Sequence, residues 1–236
     1  MTNSSINLTP GWIARHTPPG AGVDGRHAAV IDIAQDLLLR ELHLRGVLAA
    51  LAFKGGTSLR KLYAGNQGRF SLDLDFSVSD PAADPDTVIL DLIGEIDGLH
   101  VEPFTYAMTE RRGKWWLTIA AELFTEESTL ASKLDVSSPP WLPQARRGWV
   151  PMPVHGTYGE PDLPQPQVVR LEENIAEKIS RLNRTTTARD LYDLAWLSAC
   201  AFNYLHRDRV TAEKYGPGAP QDLRQVVLTC GCVDCR

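Results

Sequence analysis

Helical spacing of apolar residues marks the first long segment of the chain. Between Arg26 and about Arg45, the apolar positions fall on one face of a helix, which predicts an amphipathic helix. We predict three further helices, over Asp86 to Asp97, Leu171 to Leu182 and Ala188 to about Leu205.

Short alternating or apolar runs predict five strands. They lie over Val47 to Phe53, Phe70 to Val78, Val101 to Met108, Trp115 to Leu123 and Leu130 to Ser137. Gly55–Gly56 ends the first of these, and Thr57 is placed to cap a helix that reaches about Tyr63.

This order of elements predicts an α+β protein, a mixed sheet flanked by helices, rather than a doubly wound parallel sheet. Residues 1–25 lack apolar periodicity and are predicted to form a loose arm. We place the core at residues 26–165, which include an irregular Pro-rich crossing that starts at Ser138. A smaller helical region takes residues 166–236.

Composition narrows the class of partner. The 236 residues carry a net charge of -5, so a generally basic nucleic-acid coat is excluded and nucleic acid would bind only through local patches. No apolar run is long enough to span a bilayer, and we expect a cytoplasmic protein without a membrane partner.

The chain has four cysteines, Cys200, Cys230, Cys232 and Cys235. We expect them to be free reduced thiols, and their spacing leaves zinc binding as the less favoured alternative.

Two aspartates share one face of the predicted strand Phe70 to Val78. Side chains alternate along a strand, so Ser71, Asp73 and Asp75 point together, away from the apolar face. If the strand Leu130 to Ser137 is a neighbour, Asp135 completes a cluster of three carboxylates. Such a cluster repels itself unless divalent cations offset it, and two ions would clamp an in-line phosphoryl displacement. We therefore predict Mg²⁺ (or Mn²⁺) at Asp73, Asp75 and Asp135.

A glycine pair stands upstream of these carboxylates. Gly55 and Gly56 let the backbone approach a ligand closely, and the free N–H groups of the following helix would favour phosphate near Thr57. A lone D-x-D is commonly a solvated strand face and a lone Gly-Gly is usually a turn. Their combination, with a third aspartate on a later strand, favours a metal-assisted phosphate site.

Five blocks of sequence, in order from about Leu51 to Leu197, carry a resemblance. They are G-G-T-S-L-R, R-F-S-L-D-L-D-F, K-L-D-V, E-E-N-I-A-E-K-I-x-R-L and A-R-D-L-Y-D-L. The chain resembles the AbiEii/AbiGii (MenT-like) toxins, nucleotidyltransferases of the polymerase-beta superfamily that act in bacterial toxin–antitoxin or phage-defence pairs. The helical region after the last block is shorter than in many relatives, and the Cys-rich tail matches no family feature.

The resemblance implies a role for each matching position. Those implied to be catalytic are Asp73, Asp75, Asp135, Lys178 and Asp193. Taken with the neighbouring residues, it predicts that nucleotide is bound by Lys54, Gly55, Gly56, Thr57, Arg69, Ser71, Lys178, Arg189 and Asp190. It leaves open whether Asp190 or Asp193 is the functional aspartate, and we favour Asp193.

For several of these residues, the alternative is a surface contact with no part in catalysis. Lys178 could face solvent and pair with Glu173 or Asn174, and Arg189 could form a surface ion pair with Asp193 four residues later. Arg69 could hold a triphosphate oxygen or simply offset the aspartates.

Basic and aromatic residues also alternate in two places. The turn Arg111 to Lys114 precedes Trp115 and Trp116, and the Pro-rich crossing carries Arg146, Arg147 and Trp149. Such interleaving suits single-stranded nucleic acid, but a basic turn above core tryptophans is the more common explanation.

The function implied by the resemblance is transfer of a nucleoside monophosphate from an NTP to an acceptor hydroxyl. The implied acceptor is RNA, with the 3′ end of tRNA the first choice, and the implied outcome is blocked translation; a cognate antitoxin encoded nearby is the expected protein partner. The alternatives are transfer to a small molecule, as in antibiotic-modifying enzymes, or to a protein, and a non-catalytic nucleotide-binding module.

Overall fold

A mixed sheet with helices packed against it forms the structure, a computed structural model that describes residues 6–182, 184–185 and 187–199. The helices are α1 (Pro10–His16), α2 (Gly22–Leu44), α3 (Gly55–Leu59), α4 (Pro85–Ile96), α5 (Leu171–Leu182) and α6 (188–199). The strands are β1 (Leu51–Lys54), β2 (Leu74–Val78), β3 (His100–Val101), β4 (Phe104–Arg111), β5 (Lys114–Ala120), β6 (Thr129–Ser137), β7 (Ala145–Arg146) and β8 (Gln167–Val168). None of the helices in the described ranges is both long and apolar enough to cross a membrane.

The sheet combines parallel and antiparallel pairings, and its strand order is β3-β4-β5-β6-β2-β1-β8-β7. β2 runs parallel to β6 and β1 runs parallel to β8, whereas β1 and β2 are antiparallel. The predicted α+β class is therefore confirmed, and so is the expected neighbourhood of the two aspartate-bearing strands. The predicted domain bounds stay a prediction.

Helix α2 is the central core element. Nearly every residue from Ala29 to Leu42 is buried, which is more than an amphipathic surface helix buries. The Tyr106 hydroxyl donates to the carbonyl of Ala34, and the Gln35 amide donates to the carbonyl of Leu72. Polar contacts thus join α2 to β4 and to the segment that carries the first aspartate.

Strand β2 is shorter than predicted, because residues 70–73 have no strand partner. β1 reaches Asp75 through its last residue, Lys54, and the chain then turns into α3. Side chains replace the missing ladder: the hydroxyl of Ser132 donates to the carbonyl of Leu72, and that of Thr57 donates to the carbonyl of Asp73. Asp73 is therefore held by hydroxyl groups rather than by sheet pairing.

The segment around β1 also departs from the prediction. Residues Val47–Ala50 form a 3-10 turn, so the strand begins at Leu51. The following helix starts at Gly55, and Thr57 does not cap it, because its hydroxyl is turned toward the backbone of residues 71–73. A π-helical turn over Arg60–Ala64 continues that helix.

A buried ionic cluster fixes this π-helical turn against α2. The Lys61 ammonium, with no exposed surface, contacts Asp32 at 3.0 Å and Asp36 at 2.5 Å. The Arg60 guanidinium contacts Asp32 at 3.0 Å. Because buried charges are tolerated only when paired, the cluster holds the glycine-bearing segment in one position.

The predicted loose arm is wrong for α1. Ile13 is fully buried, and His16 Nε2 lies 2.9 Å from a carboxylate oxygen of Asp32. Burial of one apolar side chain and one polar contact dock the helix, although the sequence around it is rich in Pro, Gly and Thr.

The Pro-rich crossing is ordered by side-chain contacts. Arg147 donates to the carbonyl of Leu62 at 2.7 Å and stacks on Tyr63 with its guanidinium carbon 3.9 Å from the ring centre. Trp149 packs edge-on against His155, and Tyr158 is buried. Arg147 and Trp149 therefore serve packing, whereas Arg146 lies exposed on β7.

Candidate active site

Three aspartates meet on one side of the sheet. Asp75 of β2 is the register partner of Asp135 on the parallel strand β6, and Asp73 lies two residues before Asp75. The alternate residues Leu74, Phe76 and Leu134 are buried in the core. The period of two along both strands thus places the carboxylates together, as the sequence predicted.

Their mutual repulsion is visible at Asp75. Burial raises the pKa of the Asp75 carboxyl above its ordinary value, and the negative charges of Asp73 and Asp135 raise it further. The ammonium groups of Lys133 and Lys54 offset part of this effect. The centre of the cluster is therefore short of positive charge.

Two cationic side chains contact the outer aspartates. The Arg189 guanidinium of α6 lies 3.5 Å from the Asp73 carboxylate, and the Lys133 ammonium lies 3.5 Å from that of Asp135. Arg189 and Asp135 are largely exposed, so both contacts are open to exchange with solvent ions.

The donor set suits a hard divalent cation. Across the described ranges, no group of three His, Cys, Asp or Glu side chains is arranged to enclose a metal. The carboxylate oxygens are nevertheless the ligand type that Mg²⁺ prefers, and a cation beside Asp75 would relieve the repulsion there. The metal assignment of Asp73, Asp75 and Asp135 stays a prediction that the chemistry of these donors supports.

Glycine is required where α3 meets the aspartates. Gly55 has φ +78°, and a Cβ atom at this position would overlap the Asp75 carboxylate. A Cβ atom at Gly56 would lie 2.8 Å from both Arg69 Nη2 and Ser71 Oγ. The glycine pair therefore lets the start of α3, Arg69, Ser71 and Asp75 converge on one small volume. Close approach of a ligand to this backbone stays a prediction.

Thr57 has a different role from the one predicted for its side chain. It is fully buried, and its hydroxyl donates toward the carbonyls of Ser71, at 3.3 Å, and Asp73. It positions the aspartate-bearing segment, so that only its backbone N–H is left for phosphate.

A network of four charged side chains lies beside the glycine pair. Arg69 donates two hydrogen bonds to the Asp193 carboxylate, at 2.9 and 2.7 Å. The Lys178 ammonium of α5 contacts Asp193 at 2.8 Å and Asp190 at 3.3 Å. Burial alone would raise the pKa of Asp190, but the Thr187 hydroxyl and the Lys178 ammonium lower it below its ordinary value. The network joins α5 and α6 to the segment that precedes β2.

The alternative surface contacts predicted for Lys178 and Arg189 are wrong. Lys178 is buried and does not pair with Glu173 or Asn174, and Arg189 contacts Asp73 rather than Asp193. Burial on α5 does not follow side-chain polarity, because Ile179 is exposed while Lys178 takes a buried position. A lysine can replace an apolar residue there because two carboxylates neutralise it. Contact of Lys178 with a nucleotide phosphate stays a prediction.

Asp193, rather than Asp190, is the aspartate shared by both cations. It accepts from Arg69 and from Lys178, whereas Asp190 contacts Lys178 and the Thr187 hydroxyl. The sequence-based preference for Asp193 as the functional residue thus gains a physical reason, although its role stays a prediction.

Sequence reasoning missed two charged residues at the site. Lys133 contacts Asp135 from two residues away on the same strand face, which strand alternation could have shown. Glu177 pairs with Lys54 at 2.9 Å across 123 residues of sequence, a contact that no local pattern reveals.

The basic hairpin adjoins the strand that carries Asp135, because Trp115 and Trp116 of β5 are the register partners of Leu134 and Lys133 on β6. Arg112 and Gly113 both have positive φ, as the two-residue turn between β4 and β5 requires. Trp115 packs against the core and Arg111 lies over Trp116, with 6.0 Å between the guanidinium carbon and the ring centre. The packing explanation is favoured for Trp115. Cys200, Cys230, Cys232 and Cys235 lie outside the described residues.

Comparisons with known proteins point to one family. A family model described as "Nucleotidyl transferase AbiEii toxin, Type IV TA system" matches residues 36–223. The nucleotidyltransferase toxin MenT4 (Rv2826c) of Mycobacterium tuberculosis H37Rv is 38% identical, with a TM-score of 0.71 over 81% of this chain. The chain spans 65% of that protein.

Other comparisons gave weaker likeness. JHP933 from Helicobacter pylori is 18% identical over 83% of this chain and 88% of its own, with a TM-score of 0.37. A nucleotidyltransferase structure from H. pylori, titled as putative, is 17% identical over 83% of this chain and 91% of its own, with a TM-score of 0.39. No curated protein matched.

Proposed function

The chain belongs to the AbiEii nucleotidyltransferase toxin family of type IV toxin–antitoxin systems, and we propose that it transfers a nucleoside monophosphate from an NTP to an acceptor hydroxyl. The observation that carries this proposal is that Asp75 lies against the glycine pair at the start of α3 and has Asp73 and Asp135 as its acidic neighbours. Carboxylates for metal ions and a close backbone for phosphates are the two parts that such a transfer needs.

The proposed step is an in-line displacement at the α-phosphorus. The acceptor oxygen forms a bond to the α-phosphorus, the bond from that phosphorus to the bridging oxygen of the β-phosphate breaks, and pyrophosphate leaves. Asp135, the most exposed of the three carboxylates, is placed to orient the acceptor hydroxyl and to take its proton. Divalent metal ions held by the three aspartates would stabilise the charge on the attacking and leaving oxygens.

Phosphate binding falls to the residues around the glycine pair. The backbone of Gly55, Gly56 and Thr57 can approach the triphosphate, with Ser71 beside it. The cations Lys54, Arg69, Lys178 and Arg189 are each now paired with an acidic side chain. Lys54 is the register partner of Asp75, Arg189 contacts Asp73, and Arg69 lies at Gly56 and shares Asp193 with Lys178. A triphosphate entering between them would exchange these internal partners for its own oxygens.

RNA is the acceptor that we propose, with the 3′ end of tRNA first, so that transfer blocks translation. The support is membership of the toxin family together with the likeness to MenT4, itself a nucleotidyltransferase toxin. Type IV systems pair each toxin with an antitoxin, and we propose a cognate antitoxin as the protein partner. Mg²⁺ is the proposed cofactor.

Incubation of the pure protein with Mg²⁺, each NTP labelled at the α-phosphate, and total tRNA tests this function. We expect labelled RNA with wild type, and none with Asp73→Ala or Asp75→Ala. The matched control is Asp91→Ala, an exposed aspartate of α4, which should transfer like wild type. Label on a small molecule or on protein alone would refute the RNA acceptor, and NTP binding without any transfer would refute the enzyme.

A further inference from the structure

One tryptophan of the chain is almost entirely in solvent. Trp141 is 95% exposed, whereas Trp115 and Trp149 pack against the core. Leaving a whole indole in water forgoes the stabilisation that its burial would bring. A single exposed apolar side chain is ordinary on a protein surface, so the meaning of this one depends on what lies around it.

The backbone beneath this side chain is held firmly. The N–H groups of Trp141 and Leu142 donate to the two carboxylate oxygens of Glu173, at 2.8 and 3.0 Å. Glu173 is buried on α5, so both hydrogen bonds are sheltered from water. The backbone that carries the indole is thus held in one position, so less conformational entropy is lost when a ligand binds to it.

A cavity of about 590 Å³ lies beside Trp141, within the range of small-molecule sites. Its walls include Leu142 and Ala176, and it is lined by three basic residues, Lys54, Arg181 and Arg184, and by three acidic ones, Glu172, Glu173 and Glu177. Glu173 already accepts the two backbone hydrogen bonds described above, and Glu177 pairs with Lys54. Within the described residues, neither arginine lies in salt-bridge distance of a carboxylate. A flat aromatic face next to Arg181 and Arg184 suits a nucleotide.

Lys54 connects this cavity to the carboxylates. It is the register partner of Asp75 and directly precedes the glycine pair, and it also lines the cavity. A nucleoside triphosphate with its phosphates at the glycine pair would need room for its sugar and base beside Lys54. The cavity that ends at Trp141 offers that room.

We propose that Trp141 is the stacking platform for the base of the incoming NTP, with Arg181 and Arg184 at the rim of the pocket. The proposal rests on the proposed nucleotidyl transfer, whose substrate site it completes. We assign the NTP rather than the acceptor to this cavity, because Lys54 links the cavity to the glycine pair and α5 borders it.

NTP titration of intrinsic fluorescence, with Mg²⁺ present and acceptor absent, tests the platform without any need for turnover. Stacking should change the emission of wild type, and Trp141→Phe should lose most of that change. Trp12→Phe is the matched control, because Trp12 is partly exposed but lines a different cavity. This variant should keep the full change.

Steady-state transfer assays show whether Trp141 stacks on the base of the NTP or on a base of the RNA acceptor. Trp141→Ala should raise the KM for NTP about 5- to 150-fold, the range that corresponds to one base–aromatic stack, and leave the KM for acceptor within about twofold. Trp141→Phe should recover most of the lost affinity. A raised KM for acceptor alone, or no change in either KM, would overturn the proposal.

The same measurements keep the two proposals apart. A wild-type protein whose Trp141 responds to NTP but which labels no acceptor would refute the transfer reaction and leave the platform standing. A protein that transfers normally after Trp141→Ala would refute the platform and leave the reaction standing.

Discussion

Replacement of Gly55 by alanine tests whether the glycine pair exists to admit Asp75. Gly55 has φ +78°, and a non-glycine residue in this left-handed region costs about 1–2 kcal/mol. A Cβ atom there would also overlap the Asp75 carboxylate, so the carboxylate or the start of α3 must move. We expect a loss of about 2–5 kcal/mol in the free energy of unfolding, because overpacking adds about 1–3 kcal/mol to the backbone cost. Transfer activity should fall at least tenfold even in fully folded protein.

Gly46 provides the matched control. Its φ is +79°, but a Cβ atom there would meet no heavy atom within 4 Å. Gly46→Ala should therefore show only the backbone cost of about 1–2 kcal/mol and retain wild-type transfer. Urea unfolding measures the stabilities, and initial rates at saturating NTP measure transfer. Equal losses of stability in the two variants, or an active Gly55→Ala, would refute the close approach as the reason for this glycine.

Three further predictions concern the buried charges. Lys61→Met should cost about 3–5 kcal/mol in urea unfolding, since it leaves Asp32 and Asp36 buried without their ammonium partner; a loss below about 1 kcal/mol would contradict this. Burial alone would raise the pKa of both carboxyls, but Lys61 holds them below their ordinary value of about 3.9. The stability that they supply is therefore present above that pH and lost as the pH falls below it, so the free energy of unfolding should drop between about pH 5 and pH 2.5, and a flat profile would contradict the assignment. Asp193→Asn should reduce stability and transfer more than Asp190→Asn, because only Asp193 accepts from both cations; equal effects would argue against the shared role.

Local pattern was a sound guide wherever one face of an element is buried. Alternation along β2 and β6 correctly placed Asp75 beside Asp135, because a one-residue shift would have put Leu74 and Leu134 in water. Asp73 joins them from the segment just before β2. The bounds of α5 were also predicted correctly, as its amphipathic period is strong.

Polar contacts between residues far apart in the sequence could not be predicted from local pattern. The burial of Lys178 depends on Asp190 and Asp193, and the side-chain role of Thr57 depends on the backbone at Asp73. The docking of α1 depends on Asp32, which lies 16 residues beyond His16. Each partner is fixed only once the sheet and helices have assembled, so no spacing rule could have named it.

The central claim is that the aspartate cluster moves a nucleoside monophosphate rather than a phosphate. Parallel reactions with NTP labelled at the α- or at the γ-phosphate, followed by analysis of the acceptor and of released pyrophosphate, test it most directly. We predict that the α-label appears on the acceptor, that the γ-label appears in pyrophosphate, and that Asp75→Asn abolishes both. The γ-label on the acceptor, or transfer that persists in Asp75→Asn, would contradict the account.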